Sequence, residues 1–200
     1  MFVEPFTPDP IDPFVGRGER SAGIHVSSII DSLLVTIGGE QAKNVGPIEE
    51  DSVWGDAATV GFLWEDAMKE AFRVQYLRSA GRVGVDLATP GELEVDGILM
   101  TPDDIESDGT VVDYKATWKS LTKSPPEAVW KWKVQLMAYC HAVGSLTAKI
   151  VALYQCGDYK PPAPRVVGRR FVFTDREVAV NWAMLVEGKG LIMRVMRGGN

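Results

Sequence analysis

Cysteine and histidine are scarce in this chain of 200 residues, with two of each. Cys140, Cys156, His25 and His141 are too few and too widely spaced for a structural zinc site, which clusters four such ligands. The two cysteines read as free thiols, since a disulfide framework needs more of them in a shorter chain. No apolar run approaches the roughly 18 to 20 residues that span a membrane. The opening Met1-Phe2-Val3-Glu4-Pro5 lacks the basic-then-apolar pattern of a signal peptide. These absences predict a cytoplasmic protein with no membrane partner. Internal repeats are absent too.

What is present is enough for one globular core: 46% of residues are hydrophobic and 24% charged, the balance of an ordinary folded domain. Charge is unevenly spread. Residues 1 to 66 hold twelve acidic residues against Arg17, Arg20 and Lys43, whereas Tyr114 to Gln135 holds Lys115, Lys119, Lys123, Lys131 and Lys133 against Glu127. The net charge of −6 therefore does not exclude a polyanionic partner, because local sign governs close-range contact.

Residues 1–22 repeat proline with acidic and phenylalanine residues, as in Glu4-Pro5-Phe6 and Asp12-Pro13-Phe14. That composition forbids a helix interior and predicts an extended arm, with one folded domain over 23–200. Helical spacing starts near Ser27-Ser28, either of which suits a cap, and ends by Gly38-Gly39. A second helix is predicted from Asp56 to Leu77, where Val60, Leu63, Trp64, Ala67, Met68, Ala71 and Phe72 follow the helical period. Strands are predicted at Val83–Leu87, Leu93–Met100 and Thr110–Ala116. Ser124-Pro125-Pro126-Glu127 opens a third helix that Gly144 stops near Val143. Lys149–Gln155 and Arg169–Phe173 read as strands. Thr174 or Asp175 caps a last helix that Gly188 is expected to break. The order predicts a mixed α+β fold with a central mixed sheet flanked by helices.

Three charged residues interrupt the strands that should be driest. Asp113 and Lys115 in Val111-Val112-Asp113-Tyr114-Lys115 lie two apart, so they share one face. Asp96 joins them if Leu93–Met100 pairs with Thr110–Ala116 as a hairpin through the loop from Thr101 to Gly109. Partly buried carboxylates repel one another unless a cation lies between them. Hard oxygen ligands suit Mg²⁺ or Mn²⁺, and a neighbouring lysine suits phosphodiester hydrolysis. Glu65, on the preceding helix, can add a carboxylate. Lys131, Gln135 and Tyr139 are each one turn apart on the third helix and form a polar stripe. With both flanks of that helix apolar, the stripe calls for a partner.

Gly61-x-x-x-Glu65, Asp96-Gly97, Asp113-x-Lys115 and Gln135-x-x-x-Tyr139, in that order, resemble the PD-(D/E)XK nuclease superfamily. The likeness spans about residues 23 to 160. It is nearest the RecB-like and lambda-exonuclease-like branch, which includes phage-type relatives of the CRISPR-associated exonucleases. The segment Ile24-His25-Val26-Ser27-Ser28 also resembles the opening helix of that branch. The resemblance implies a restriction-endonuclease-like core, with Mg²⁺ or Mn²⁺ held by Glu65, Asp96, Asp113 and the Tyr114 carbonyl. It implies Lys115 as the catalytic lysine and Gln135 and Tyr139 as residues that position the site and DNA. Many members carry His where Glu65 stands, and Glu-x-Lys is commoner than Asp-x-Lys. The four cysteines that hold an iron–sulphur cluster in some relatives are missing, so no cluster is expected.

Lysines and aromatic residues alternate after the Asp-x-Lys segment, at Trp118-Lys119, Lys123 and Trp130-Lys131-Trp132-Lys133. Proteins that bind single strands pair bases with aromatic faces and phosphates with lysines. Trp130 and Trp132 cannot share a helix face, so Trp118 is the better stacking candidate. The sequence thus predicts a metal-dependent DNA exonuclease of recombination, repair or phage replication, in a bacterial or phage-infected cell. Rival readings are an endonuclease of the same fold and a non-catalytic DNA-binding or assembly subunit. A further rival docks a recombination or replication protein through the N-terminal arm.

Overall fold

The computed structural model describes residues 22–38, 63–68, 70, 90–155 and 164–198. The Pro-rich arm up to residue 21, the expected strand at 83–87, most of the expected 56–77 helix and residues 156–163, Cys156 among them, lie outside the described residues. Helix α1 spans Val26–Gly38, and residues 63–68 are helical, here α2. Strands β1 (Leu93–Val95) and β2 (Ile98–Met100) precede β3 (Asp104–Ile105) and β4 (Val111–Thr117). A 3₁₀ turn at Pro126–Ala128 leads to α3 (Trp130–Val143), then β5 (Thr147–Tyr154), β6 (Arg165–Val172) and α4 (Asp175–Gly198).

The main sheet has four strands in the order β3-β4-β5-β6. β4 and β5 run parallel, and both outer pairings are antiparallel. A parallel pair needs a crossover, and α3 supplies it, packing on both strands. Gly144 ends α3 in the left-handed region at φ 73, its N–H capping the Cys140 and His141 carbonyls. The face under α3 is dry: Val111, Ala148, Ile150, Ala152 and Tyr154 are fully buried. Register places Asp113 beside Ile150 and Lys115 beside Ala152, so two charged side chains emerge on that same core face. Of the two helix tryptophans, Trp132 is buried and Trp130 half-buried, as two positions on different helix faces should be.

Three expectations are corrected. Ser27 and Ser28 do not precede α1 but lie in its first turn, because the helix already begins at Val26. Leu93–Met100 is not one strand. It folds on itself at Asp96 (φ 52) and Gly97 (φ 67), the positive pair that a two-residue type I′ turn requires and Asp-Gly favours. β1 and β2 therefore form their own two-stranded sheet, and the hairpin with β4 is made by β3 instead.

The third correction concerns α4, which runs on through Gly188. A Cβ at Gly188 would stand 2.9 Å from Ile29 Cγ2 and 3.3 Å from both Leu33 methyls. The glycine is a close-approach point between α4 and α1, not a stop. Thr174 and Glu177 cap the helix reciprocally: Thr174 N–H donates to Glu177 Oε2 (2.8 Å), and Glu177 N–H to Thr174 Oγ1 (3.2 Å), a capping box. Gly188→Val is expected to overpack this contact at about 1–3 kcal/mol. Thermal unfolding of the intact protein should show a fall of several degrees. Among the described residues no helix is long and apolar enough to cross a membrane.

Candidate active site

Asp113 is the most deeply buried charged residue of the described chain, at 1% exposure. Lys115 Nζ lies 2.9 Å from both of its carboxylate oxygens and donates its hydrogen bond to Oδ1. Oδ2, also buried, accepts none. The lysine side chain retains 20% exposure, so the pair opens to solvent on the lysine side.

The second carboxylate beside this pair is Asp103. β3 begins only at Asp104, opposite Val112, so the next β4 amide, that of Tyr114, has no β3 partner. The Asp103 side chain fills the gap, with Oδ2 accepting from Tyr114 N at 2.7 Å. Extending the Asp104↔Val112 register by one place sets Asp103 across from Asp113. Burial pushes the Asp103 carboxyl up to about 7, and the Asp113 and Glu65 charges push the same way. Lys115 and the Tyr114 N–H oppose them. Burial also raises the Asp113 carboxyl against the pull of Lys115, with Glu65 adding to the rise. Burial alone would lower Lys115, but Asp113, Asp103 and Glu65 outweigh it and hold the amine above its usual range. Asp113 alone is paired with the Lys115 ammonium, with Asp103 and Glu65 within electrostatic reach of both.

Asp96, expected in this cluster, is elsewhere. It is exposed in the β1–β2 turn, where Oδ2 accepts from Trp182 Nε1 at 2.8 Å and its carbonyl accepts from Lys189 Nζ at 2.6 Å. Trp182 in turn stacks on His141 at 4.2 Å. Asp96 ties the small hairpin to α4, a structural task. The signal for Asp103 was in the sequence as Pro102-Asp103, ten residues before Asp113. Asp96-Gly97 competed with it because Asp-Gly is also a turn signature.

The donor set fits a hard divalent cation. It consists of carboxylate oxygens, one of them, Asp113 Oδ2, buried and met only by the Lys115 charge. Among the described residues no three carboxylates, cysteines or histidines converge as a tight ligand set. Asp103 and Asp113 are a pair, with Glu65 of α2 within electrostatic reach. Metal-free protein should show the strain directly. Between the usual aspartate range, near 3.8, and about 7, folded Asp103 holds a proton that the unfolded chain has lost. Its contribution to stability therefore falls as pH rises across that window and levels off above it. Melting in EDTA is expected at lower temperature at pH 7.5 than at pH 5, and Asp103→Asn should reduce the difference.

The helix stripe is only partly as expected. Gln135 Nε2 donates to the Tyr139 hydroxyl at 2.6 Å, so these two form a unit on α3. Lys131 is paired across to α1, its Nζ 2.6 Å from Asp31 Oδ1. Trp118, Lys119 and Lys123 are exposed in the loop after β4. The Tyr114 ring is buried on the opposite face of the sheet from Asp113. Cys140 is a buried free thiol whose pKa burial raises to about 12, an inert core position.

No family model and no curated protein sequence matches the chain. Among solved structures it is similar to that of SSO0001, at 14% identity and a TM-score of 0.50, covering 90% of this chain and 80% of that one. It is also similar to an alkaline exonuclease from Laribacter hongkongensis, at 15% identity and a TM-score of 0.46, covering 93% and 96% of the two chains. A phage-related exonuclease from Haemophilus somnus 129PT follows at 12% identity and a TM-score of 0.46, covering 83% and 91%. At 14% identity the first likeness concerns the fold.

Proposed function

We propose that this chain is a Mg²⁺- or Mn²⁺-dependent deoxyribonuclease of the PD-(D/E)XK type that degrades DNA from an end. The observation that carries the reading is the juxtaposition of Asp103, just before β3, with Asp113 and Lys115 of β4, half to fully buried, where a single lysine ammonium meets the Asp113 carboxylate. A solvated surface salt bridge has no reason to be built this way, since burying such a cluster is costly unless it is used.

Asp103 and Asp113 would hold the cation, with Glu65 and the Tyr114 carbonyl as further oxygen donors. The cation would supply Lewis-acid charge at the scissile phosphate and lower the pKa of a coordinated water. Lys115, whose Nζ is 2.9 Å from the Asp113 carboxylate, would place its ammonium where negative charge develops on the phosphoryl group. The α3 unit Gln135–Tyr139 sets the wall of the site on the DNA side, and the loop bearing Trp118, Lys119 and Lys123 meets the strand beyond it. Lys131, held by Asp31, serves the α1–α3 contact in the unliganded protein.

The test is incubation of purified protein with end-labelled linear DNA and covalently closed circular DNA, each in Mg²⁺, Mn²⁺ or EDTA. End-dependent loss of linear DNA in metal alone supports the exonuclease. Nicking of the circle moves the reading to an endonuclease of the same chemistry, and binding without cleavage to an assembly subunit. The Phe-Pro arm is the proposed docking segment for a recombination or replication protein.

A further inference from the structure

The exposed cations near the candidate site fall into two groups. Lys131 is paired with Asp31 at 2.6 Å, Lys149 with Glu106 at 2.5 Å and Arg169 with Glu127 at 3.3 Å. Lys119 and Lys123 have no acidic partner among the described residues. Between β4 and the 3₁₀ turn they share a loop with Trp118, whose side chain is 53% exposed. Tryptophan is a costly side chain to leave in water, since burying such a ring gains about 1.5–3 kcal/mol.

The loop is not slack. Lys119 N–H donates to Thr117 Oγ1 at 3.1 Å, and Lys123 N–H to Ser120 Oγ at 3.2 Å. Ser124 N–H donates to the Ser120 carbonyl at 2.9 Å. The hydroxyl of fully buried Tyr154 anchors the end of the loop by donating to the Ser124 carbonyl at 2.7 Å. An outward indole on a pinned loop has little ordering entropy left to lose on binding.

We propose that this loop is a stacking platform for an unpaired base of single-stranded DNA, with Lys119 and Lys123 on the flanking phosphates. The proposal deepens the nuclease reading and rests on it for the nature of the ligand. Trp118 follows Lys115 by three residues, roughly 10 Å of extended chain and about three nucleotides of stacked strand. A base stacked there would lie within about that reach of the candidate site. In a duplex both faces of each base are already stacked, so an indole gains only from a base that has left the helix. The platform thus selects unpaired ends over blunt ones. Arg169 and Lys149, each with a carboxylate of its own, are not part of the track.

The test uses full-length Asp113→Asn protein in EDTA, with anisotropy of a labelled mixed-sequence single strand and of its blunt duplex over a range of salt. The single strand is expected to bind more tightly than the duplex. Trp118→Ala should weaken single-strand binding by about 5- to 150-fold, with little change for the duplex. Trp118→Phe, which keeps an aromatic face, should retain most of the affinity. Lys119→Gln with Lys123→Gln should flatten the single-strand salt dependence by about 0.7 log units per lost contact. Unchanged single-strand affinity in Trp118→Ala overturns the proposal and leaves the loop as a protein-docking edge. Equal losses on single strand and duplex overturn it too, as does a parent protein that binds neither. A selective Trp118 effect in a protein that never cleaves would uphold the platform and sink the nuclease reading. Cleavage with an indifferent Trp118 would do the reverse.

Discussion

Asp103→Ala is expected to remove cleavage, by at least about a hundredfold, while Asp96→Asn cleaves like the parent. Asp103 stands across from Asp113 and bonds the Tyr114 amide at 2.7 Å. Losing it would take away a proposed cation ligand and the side chain that bonds the β4 backbone at Tyr114. Several kcal/mol of transition-state stabilisation depend on such a ligand, and each 1.36 kcal/mol is tenfold in rate. Asp96 touches only Trp182 and Lys189 in the described structure. Asparagine tolerates its positive φ and weakens one hydrogen bond, which costs about 1 kcal/mol of stability. Single-turnover cleavage by the two variants, with melting curves as the folding control, checks both statements. The reverse ranking would mean that the β1–β2 turn, not the β3–β4 junction, carries the chemistry.

A divalent cation is expected to raise the melting temperature by several degrees. The unfolded chain has no assembled site, so ligand at about 100 times its dissociation constant stabilises the native state by about 2.7 kcal/mol. For a domain of this size each kcal/mol moves the midpoint by about 2–4 °C. The gain should be larger at pH 7.5 than at pH 5. At the lower pH Asp103, with its carboxyl near 7, is protonated and the cation must displace that proton. Asp113→Asn should abolish the response at both pH values. Millimolar Mg²⁺ and Mn²⁺ that leave the parent's curve unmoved would contradict the cation site.

Elements with strong local signals were legible in the sequence. The α3 helix ends where Gly144 must adopt φ 73, and β4 and β5 follow from β-branched runs that fit a parallel, buried pair. Asp113-x-Lys115 could be placed on one face from the strand period alone. What failed depended on tertiary context. Asp96-Gly97 reads equally as a turn and as part of a strand, and only the pairing of β1 with β2 decides between them. Gly188 looked like a helix end because its role, contact with Ile29 and Leu33, is invisible until α1 and α4 meet. Asp103 was hidden in a turn-rich loop, because a two-residue strand such as β3 is too short to show any period. The Lys131–Asp31 pair was likewise out of reach of a local reading, because the two residues are 100 positions apart.

The central claim is that Asp103, Asp113 and Lys115 form a cation-dependent phosphodiester-hydrolysing site. The most direct measurement follows end-labelled linear DNA with purified parent protein in Mg²⁺, Mn²⁺ and EDTA, beside Asp113→Asn prepared identically. Cleavage is expected from the parent in Mg²⁺ or Mn²⁺, with none in EDTA and none by Asp113→Asn under any condition. Cleavage that survives in EDTA, or that Asp113→Asn performs as well as the parent, would contradict it.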